Sequence, residues 1–310
     1  MESFVLGCGG MMPLPGRHLT SVLLRREGEL FLFDCGESTQ VSLKKLNLKW
    51  KKISTIFISH THADHVTGLP GLLMLSSQVE REEPLTIIGP PRIAEYIEVN
   101  RKALEMYINY EIKVIEIEDP YTEQVVMEGE GFRVRSFPLR HSRVCVGYTL
   151  EENDRPGVFF PEKAKELGVP VGPMWSQLQK GKTVELEDGT TVEPVQVMGT
   201  ARRGRKFSFV TDTSYHDSIP PQVSGSDLLI CEAMFDSSLA DSAKEKKHLT
   251  AEQAGKIARE AGGVKRMGLI HFSPRYTNRE LSVIKEEARA VFPEAFLCRD
   301  QMEITIPNEE

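Results

Sequence analysis

In the stretch "ISHTHADHVTGLPGLL", residues 58 to 73, His60, His62, Asp64 and His65 fall within six positions. Four such side chains are costly to bury and costly to crowd unless a common partner takes their lone pairs. The run just before them, "ISTIF", is compact and rich in β-branched residues, the kind of strand buried on both faces. The chain must therefore fold so that a buried strand delivers a dense polar cluster to an edge where something can bind it. Neutral imidazoles suit zinc, and a carboxylate compensates charge. The spacing is not that of HExxH, which needs helical i,i+4 geometry. In an extended turn His60 and His62 point one way, leaving Asp64 and His65 for a neighbouring centre.

A metal site needs more ligands than these, and three further residues occupy equivalent places. His141 follows "FRVRSFPLR", Asp212 follows "KFSFVT" and His271 follows "RMGLI". Each ends an apolar run, and open α/β sheets collect their ligands at the carboxyl ends of strands. The set is too large for one tetrahedral ion and suits two ions about 3.5 to 4 Å apart that share a carboxylate. Asp212 is the natural bridge, having one oxygen for each ion. Of the other histidines, His18 reads as a surface loop residue beside Arg17, and His216 as part of the polar turn "SYHDS". His248 precedes the helical stretch "TAEQAG", with Thr250 as its N-cap.

Strand-like runs alternate with helical spacing in both halves, so the fold class is α/β. "TSVLLRREGELFLFDCG" reads as a hairpin turning at Glu27-Gly28-Glu29, and "EAFLCRDQMEITI" as a last strand. Segment 153 to 196 interrupts the pattern; it is rich in Pro, Gly and Lys and carries an exposed-looking Trp175. No run reaches the length of a membrane span. The early acid in "MESFVLGCGG" argues against a secretory leader, and five scattered cysteines argue for buried thiols. A cytoplasmic location is expected. The net charge of −7 gives no whole-chain sign of a nucleic-acid binder. Local charge differs: "ARRGRKF" places Arg202, Arg203, Arg205 and Lys206 together. That run is a solvated turn by itself, and a set of phosphate contacts if RNA passes beside it.

Taken as a set, the ligands resemble those of the metallo-β-lactamase fold, a four-layered αββα sandwich with a dinuclear site at one rim. Within it the chain is similar to the ribonuclease Z family nearly end to end. The likeness rests on "LGCGGMMPLPGRHLTSVLL", "LFDCGESTQVSL", "ISHTHADHVTGLPGLL", "CEAMF" and "HFSPRY". The most discriminating stretch is "LGVPVGPMWSQLQKGKTVELEDG", similar to the arm with which that family grips the tRNA elbow. The resemblance implies one domain over 1–310, with residues 153–196 inserted as a protruding tRNA-binding arm. It implies His60, His62 and His141 on one zinc, Asp64, His65 and His271 on the other, and Asp212 between them. Manganese or iron suits the same donors.

The implied reaction is hydrolysis of precursor tRNA to remove its 3′ trailer. Asp64 is then a candidate general base, and His248 the group that protonates the leaving 3′ oxygen. A homodimer is implied too, one subunit's arm holding RNA cut by the other. Departures from the family pattern include Ser38, Cys231, Leu249 and Ser176, and Gln179-Lys180-Gly181 in the arm; none falls on a metal ligand. Two other readings remain: a small-molecule hydrolase of the same fold, acting on phosphodiesters, lactones or thioesters, and a non-catalytic RNA binder with structural zinc.

Overall fold

The computed structural model describes residues 1–309, which divide into two compact units. The first, Met1–Glu151 with Lys206–Ile306, holds two seven-stranded sheets. Strands β1 (Glu2–Gly7), β2 (Ser21–Arg26), β3 (Glu29–Phe33), β4 (Ile53–Phe57), β5 (Leu85–Gly89) and β6 (Ile112–Glu116) lie side by side in that order. The second sheet takes β7 (Gln124–Gly129), β8 (Phe132–Arg140) and β9 (Val144–Glu152). After a short hairpin, β10 (Val184–Glu185) and β11 (Thr191–Val192), it is completed by β12 (Lys206–Val210), β13 (Leu228–Glu232), β14 (Met267–Ile270) and β15 (Ala295–Leu297). Strand β16 (Met302–Thr305) closes the first sheet beside β1.

Alternation along the strands produces the layers. In β3, Phe31 and Phe33 face the core shared by both sheets, while Leu30 and Leu32 pack into the core under the helices Gly68–Gln78 and Ile93–Ala103. Between the sheets, Phe33 stacks on Phe57 at 5.1 Å and meets Phe207 at 5.1 Å and Phe209 at 5.7 Å. Helices Ala251–Ala261 and Leu281–Val291 set Ala254, Ile257, Ala258 and Ile284 into the core on the second sheet. The result is the expected αββα order. Strands β3 to β6, and β12 to β15, run parallel, so their carboxyl ends collect at one rim of each sheet.

The β2–β3 hairpin turns where expected, with Glu27 (φ 49°) and Gly28 (φ 90°) both left-handed, as a tight hairpin turn requires. Thr250 caps its helix, exchanging hydrogen bonds with Gln253. The C-terminal stretch is not one strand. It splits into β15 and β16 in different sheets, because Asp300 turns inward to accept the backbone N–H groups of Cys8 (3.1 Å) and His18 (2.6 Å). All five cysteines are buried free thiols. Among the described residues no helix is long and apolar enough to cross a membrane.

The second unit comprises Glu152–Arg205 and the tail from Pro307, wider than the expected 153–196 insertion. Arg155 and Arg202 exchange backbone hydrogen bonds, and Arg205 binds Glu152 at 2.6 Å, so both flanks belong to it. Three short helices and the β10–β11 hairpin enclose a small core of Ala164, Val169, Leu178, Val184, Val192 and Val197. Trp175 is half-buried, 5.2 Å from the Phe159 ring, and its indole donates to Val169 O; the exposed reading fails because that ring completes the core.

Candidate metal centre

Four strand ends build the centre. β4 runs into His60 and His62, β8 into His141, β12 into Asp212 and β14 into His271, while Asp64 and His65 lie on the short helical turn Ala63–Val66. His62 Nδ1 lies 3.0 Å from His60 Nε2 and 3.1 Å from His141 Nε2. One ring N–H can serve only one of those pairs, so lone pairs face one another unless a cation sits among them. His65 Nε2 and His271 Nε2 lie 3.2 Å apart, with Asp64 Oδ2 at 3.3 Å from His271. Donors of a tetrahedral zinc, with bonds of about 2.0–2.1 Å, stand about 3.3 Å apart, so the spacing fits.

Asp212 ties the two sets together. Its Oδ2 lies 3.6 Å from His60 and 3.7 Å from His141, and its Oδ1 lies 3.4 Å from His65 and 3.2 Å from His271. One carboxylate thus presents one oxygen to each trio. All seven predicted residues converge, and only His62 and Asp64 are less than fully buried.

Burial, then the charge of neighbouring His65, holds His60 well below the usual imidazole range; burial, then His141, lowers His62. Both rings are thereby favoured in the neutral form. Burial opposes charge on Asp212, yet His271 and His65 hold its carboxyl well below the usual range. Beside this cluster His248 is buried, its Nδ1 3.2 Å from both oxygens of Glu232 and 3.9 Å from Asp212 Oδ2. Burial works against charge there, but Glu232 and Asp212 outweigh it and push His248 up to about 9. Burial raises Glu232 too, so the pair retains a proton at neutral pH.

A family model described as "Anti-Pycsar protein Apyc1" matches residues 1–153, the part with the histidine cluster. Ribonuclease Z of Treponema denticola is 62% identical over 310 residues, spanning 100% of this chain and 99% of that protein. The chain belongs to the ribonuclease Z family. Ribonuclease Z of Borrelia hermsii is 44% identical over 97% of the chain and 95% of its own length. The crystal structure of human tRNase Z, short form, superposes with a TM-score of 0.72 at 28% identity, covering 99% of this chain and 100% of that one. The metallo-β-lactamase fold protein YhfI of Bacillus subtilis shares the fold, with a TM-score of 0.68 at 20% identity over 98% of both chains. Ribonuclease Z membership, with this donor set, makes the centre a metal cofactor site.

Several supporting residues of this ribonuclease Z site lie inside the motifs that carry the family likeness, but no spacing in the sequence marks their roles. Asp34, fully buried and at φ 55°, accepts from Ser59 N, Ser59 Oγ and His65 Nδ1, each at 2.7 Å, which fixes the tautomer that leaves His65 Nε2 for a metal. Met11 N donates to Asp64 Oδ2 at 2.7 Å, and Lys247 O accepts from His141 Nδ1 at 3.0 Å. Gly10 is required: a Cβ there would come within 2.6 Å of the His271 ring. Position 34 lies in an apolar strand end that reads as plain core, and Glu232 likewise ends an apolar strand. His216 and His18 are not surface residues. His216 is 6% exposed, its Nδ1 2.7 Å from Ser218 Oγ, and His18 Nδ1 lies 2.8 Å from Ser42 Oγ.

The basic run also differs from its reading. Arg205 is engaged by Glu152, Lys206 by Glu151 at 3.0 Å, Arg202 Nε by Pro156 O at 3.2 Å and Arg203 by Glu309 at 3.8 Å. Charge density in the sequence did not reveal that acids from distant positions hold three of these cations and a backbone carbonyl the fourth.

Proposed function

We infer that the chain is a metal-dependent endoribonuclease that hydrolyses the phosphodiester at the 3′ side of precursor tRNA, removing the trailer. The observation that carries it is Asp212, whose two oxygens face two separate trios of donors, inside a chain aligned over its whole length with ribonuclease Z. Two zinc ions are the proposed cofactor, held by His60, His62 and His141 and by Asp64, His65 and His271, with Asp212 shared. Such a pair supplies Lewis acidity toward the scissile phosphate and brings water ionisation close to neutral pH.

The chain's own groups do the rest. Asp64, the more accessible of the two site carboxylates, has its Oδ2 fixed by Met11 N–H, which aims the carboxylate to take a proton from the attacking water. His248 holds a proton next to the centre and donates it to the departing 3′ oxygen of the tRNA. Glu232 keeps it charged and fixes its ring. In-line displacement then leaves a 3′-hydroxyl on the tRNA and a 5′-phosphate on the trailer.

The unit Glu152–Arg205 is proposed as the arm that grips the tRNA elbow. Its own apolar core supports this, since a folded module with exposed Lys180 and Lys182 can hold RNA by shape and backbone. A homodimer, in which one subunit's arm serves its partner's centre, completes the reading. Incubation of purified protein with labelled precursor tRNA, with and without a chelator, tests it. A chelator-sensitive cut next to the discriminator nucleotide is expected. Binding without cutting would leave only a non-catalytic role.

A further inference from the structure

Of the five histidines among the seven predicted ligands, four have a partner for the ring nitrogen turned away from the centre. His60 Nδ1 lies 3.0 Å from Ser59 Oγ, and His62 Nε2 lies 3.4 Å from Ser142 Oγ. His65 Nδ1 has Asp34 Oδ2 at 2.7 Å, and His141 Nδ1 has Lys247 O at 3.0 Å. His271 differs: its Nδ1 is buried and has no hydrogen-bond partner among the described residues. Its backbone stands at φ 60°, a left-handed conformation that a residue with a side chain adopts only at a cost. A ring without side-chain support, on a strained main chain, is aimed by whatever fastens that main chain.

Arg17 is the fastening. It is 3% exposed, and among the described residues no carboxylate lies within ion-pair distance of it. Its guanidinium donates instead to Ser273 O at 3.3 Å, Tyr276 O at 2.9 Å and Asn278 Oδ1 at 2.9 Å, all in the turn 273–278 that follows His271. The stem of Arg17 packs along Gly9, where a Cβ would stand 3.2 Å from its Cγ and Cδ. That glycine loop is itself tied to the same segment, Phe272 N donating to Cys8 O and Gly10 N to Phe272 O, both at 3.0 Å. Tyr276 secures the other side of the turn, its hydroxyl donating to Asp236 Oδ2 at 2.7 Å. A buried guanidinium is tolerated only while acceptors meet it, so the turn cannot drift without stranding the charge.

We propose that Arg17 is a positioning residue for the centre: it holds the turn 273–278, and through it the left-handed His271, so that His271 Nε2 faces Asp64 and His65. The inference rests on the two-ion reading given above. Its effect falls on one trio, because none of its acceptors lies on a segment that carries His60, His62 or His141. Arg81 is the natural control. It is just as buried, and its guanidinium also donates to three oxygens, those of Lys51, Glu83 and Pro84. Those oxygens lie at the amino ends of β4 and β5, the rim opposite the centre.

The test titrates zinc into the full chain against a chromophoric chelator, with Co²⁺ absorption as a second readout, for Arg17→Met, Arg17→Lys, His271→Ala and Arg81→Met. Wild type should take up two ions. Arg17→Met should keep one at wild-type affinity and bind the other about 10 to 100-fold more weakly, the usual effect of losing a group that orients a ligand. The milder Arg17→Lys, which keeps a buried cation, should fall between. Adding Arg17→Met to His271→Ala should weaken metal binding no further, since both act through one ring. Arg81→Met should lower the melting temperature as Arg17→Met does, yet hold both ions as wild type does. Wild-type affinity for both ions in Arg17→Met and Arg17→Lys would overturn the assignment, and so would equal weakening in Arg81→Met. Wild-type protein that takes up fewer than two ions would instead overturn the two-ion reading, a result that no variant is needed to see.

Discussion

The strand-end centre and the Glu152–Arg205 unit solve opposite problems. The centre draws potential donor side chains from four strand ends spread between His60 and His271 and buries nearly all of them, so its cost in desolvated polar groups is carried by the large core between the sheets. Apart from the tail at Pro307, the unit is built from contacts within one stretch of chain, closes on a small apolar core that the Trp175 ring completes, and leaves most of its polar residues in water. Chemistry that depends on sub-ångström placement sits on rigid, long-range structure. Recognition by shape needs only a locally stable module.

That contrast breaks first at the centre. Asp212→Asn or His65→Ala should abolish cleavage of precursor tRNA and of bis(p-nitrophenyl) phosphate alike, by about 10³-fold or more, since several kcal/mol of charge stabilisation are lost. Elemental analysis of the variants should find less bound metal; full metal with full activity would remove Asp212 from its bridging role. His248→Ala should lower kcat for RNA by about 10² to 10⁴-fold. Its effect on the p-nitrophenyl ester should be small, because p-nitrophenolate leaves without a proton. Equal losses on both substrates would assign His248 a structural part.

Removing residues 153–204 while keeping Glu152 and Arg205 should reduce kcat/KM for precursor tRNA by roughly 10²-fold, since remote binding is lost, and spare the small ester. If the small ester is lost too, the two regions are not separable. Mixing this deletion with His65→Ala protein should restore RNA cleavage if the dimer works across subunits. Asp34→Asn should weaken metal binding by about 10 to 100-fold, read by chelator competition, because His65 then loses its fixed tautomer.

The smallest effect lies at the junction. Burial opposes charge on Glu151, but a hydrogen bond and charge from Lys206, then Arg135, lower it from 4.5 to about 2. A depressed carboxyl stabilises the fold above its unfolded value and loses that contribution as pH falls from 4.5 toward 2. Glu151→Gln should therefore cost about 2 kcal/mol near neutral pH and nothing near pH 2. An unchanged melting temperature at pH 7 would contradict this.

Residue patterns alone determined a good deal. The dense "HTHADH" cluster, the apolar runs that end at His141, Asp212 and His271, the β2–β3 turn and the cap at Thr250 are all local signals, readable because periodicity and turn chemistry act over a few residues. Only the folded chain decided which cations are free and which acids support the histidines of the site. Arg202 to Lys206 looked available and are engaged, whereas Arg140, Arg143 and Lys244 looked ordinary and stand unpaired beside the centre. Asp34 and Glu232 read as strand ends until His65 and His248 came within hydrogen-bond reach. Pairing and burial of charge depend on distances between residues far apart in the chain, and no local pattern encodes those distances.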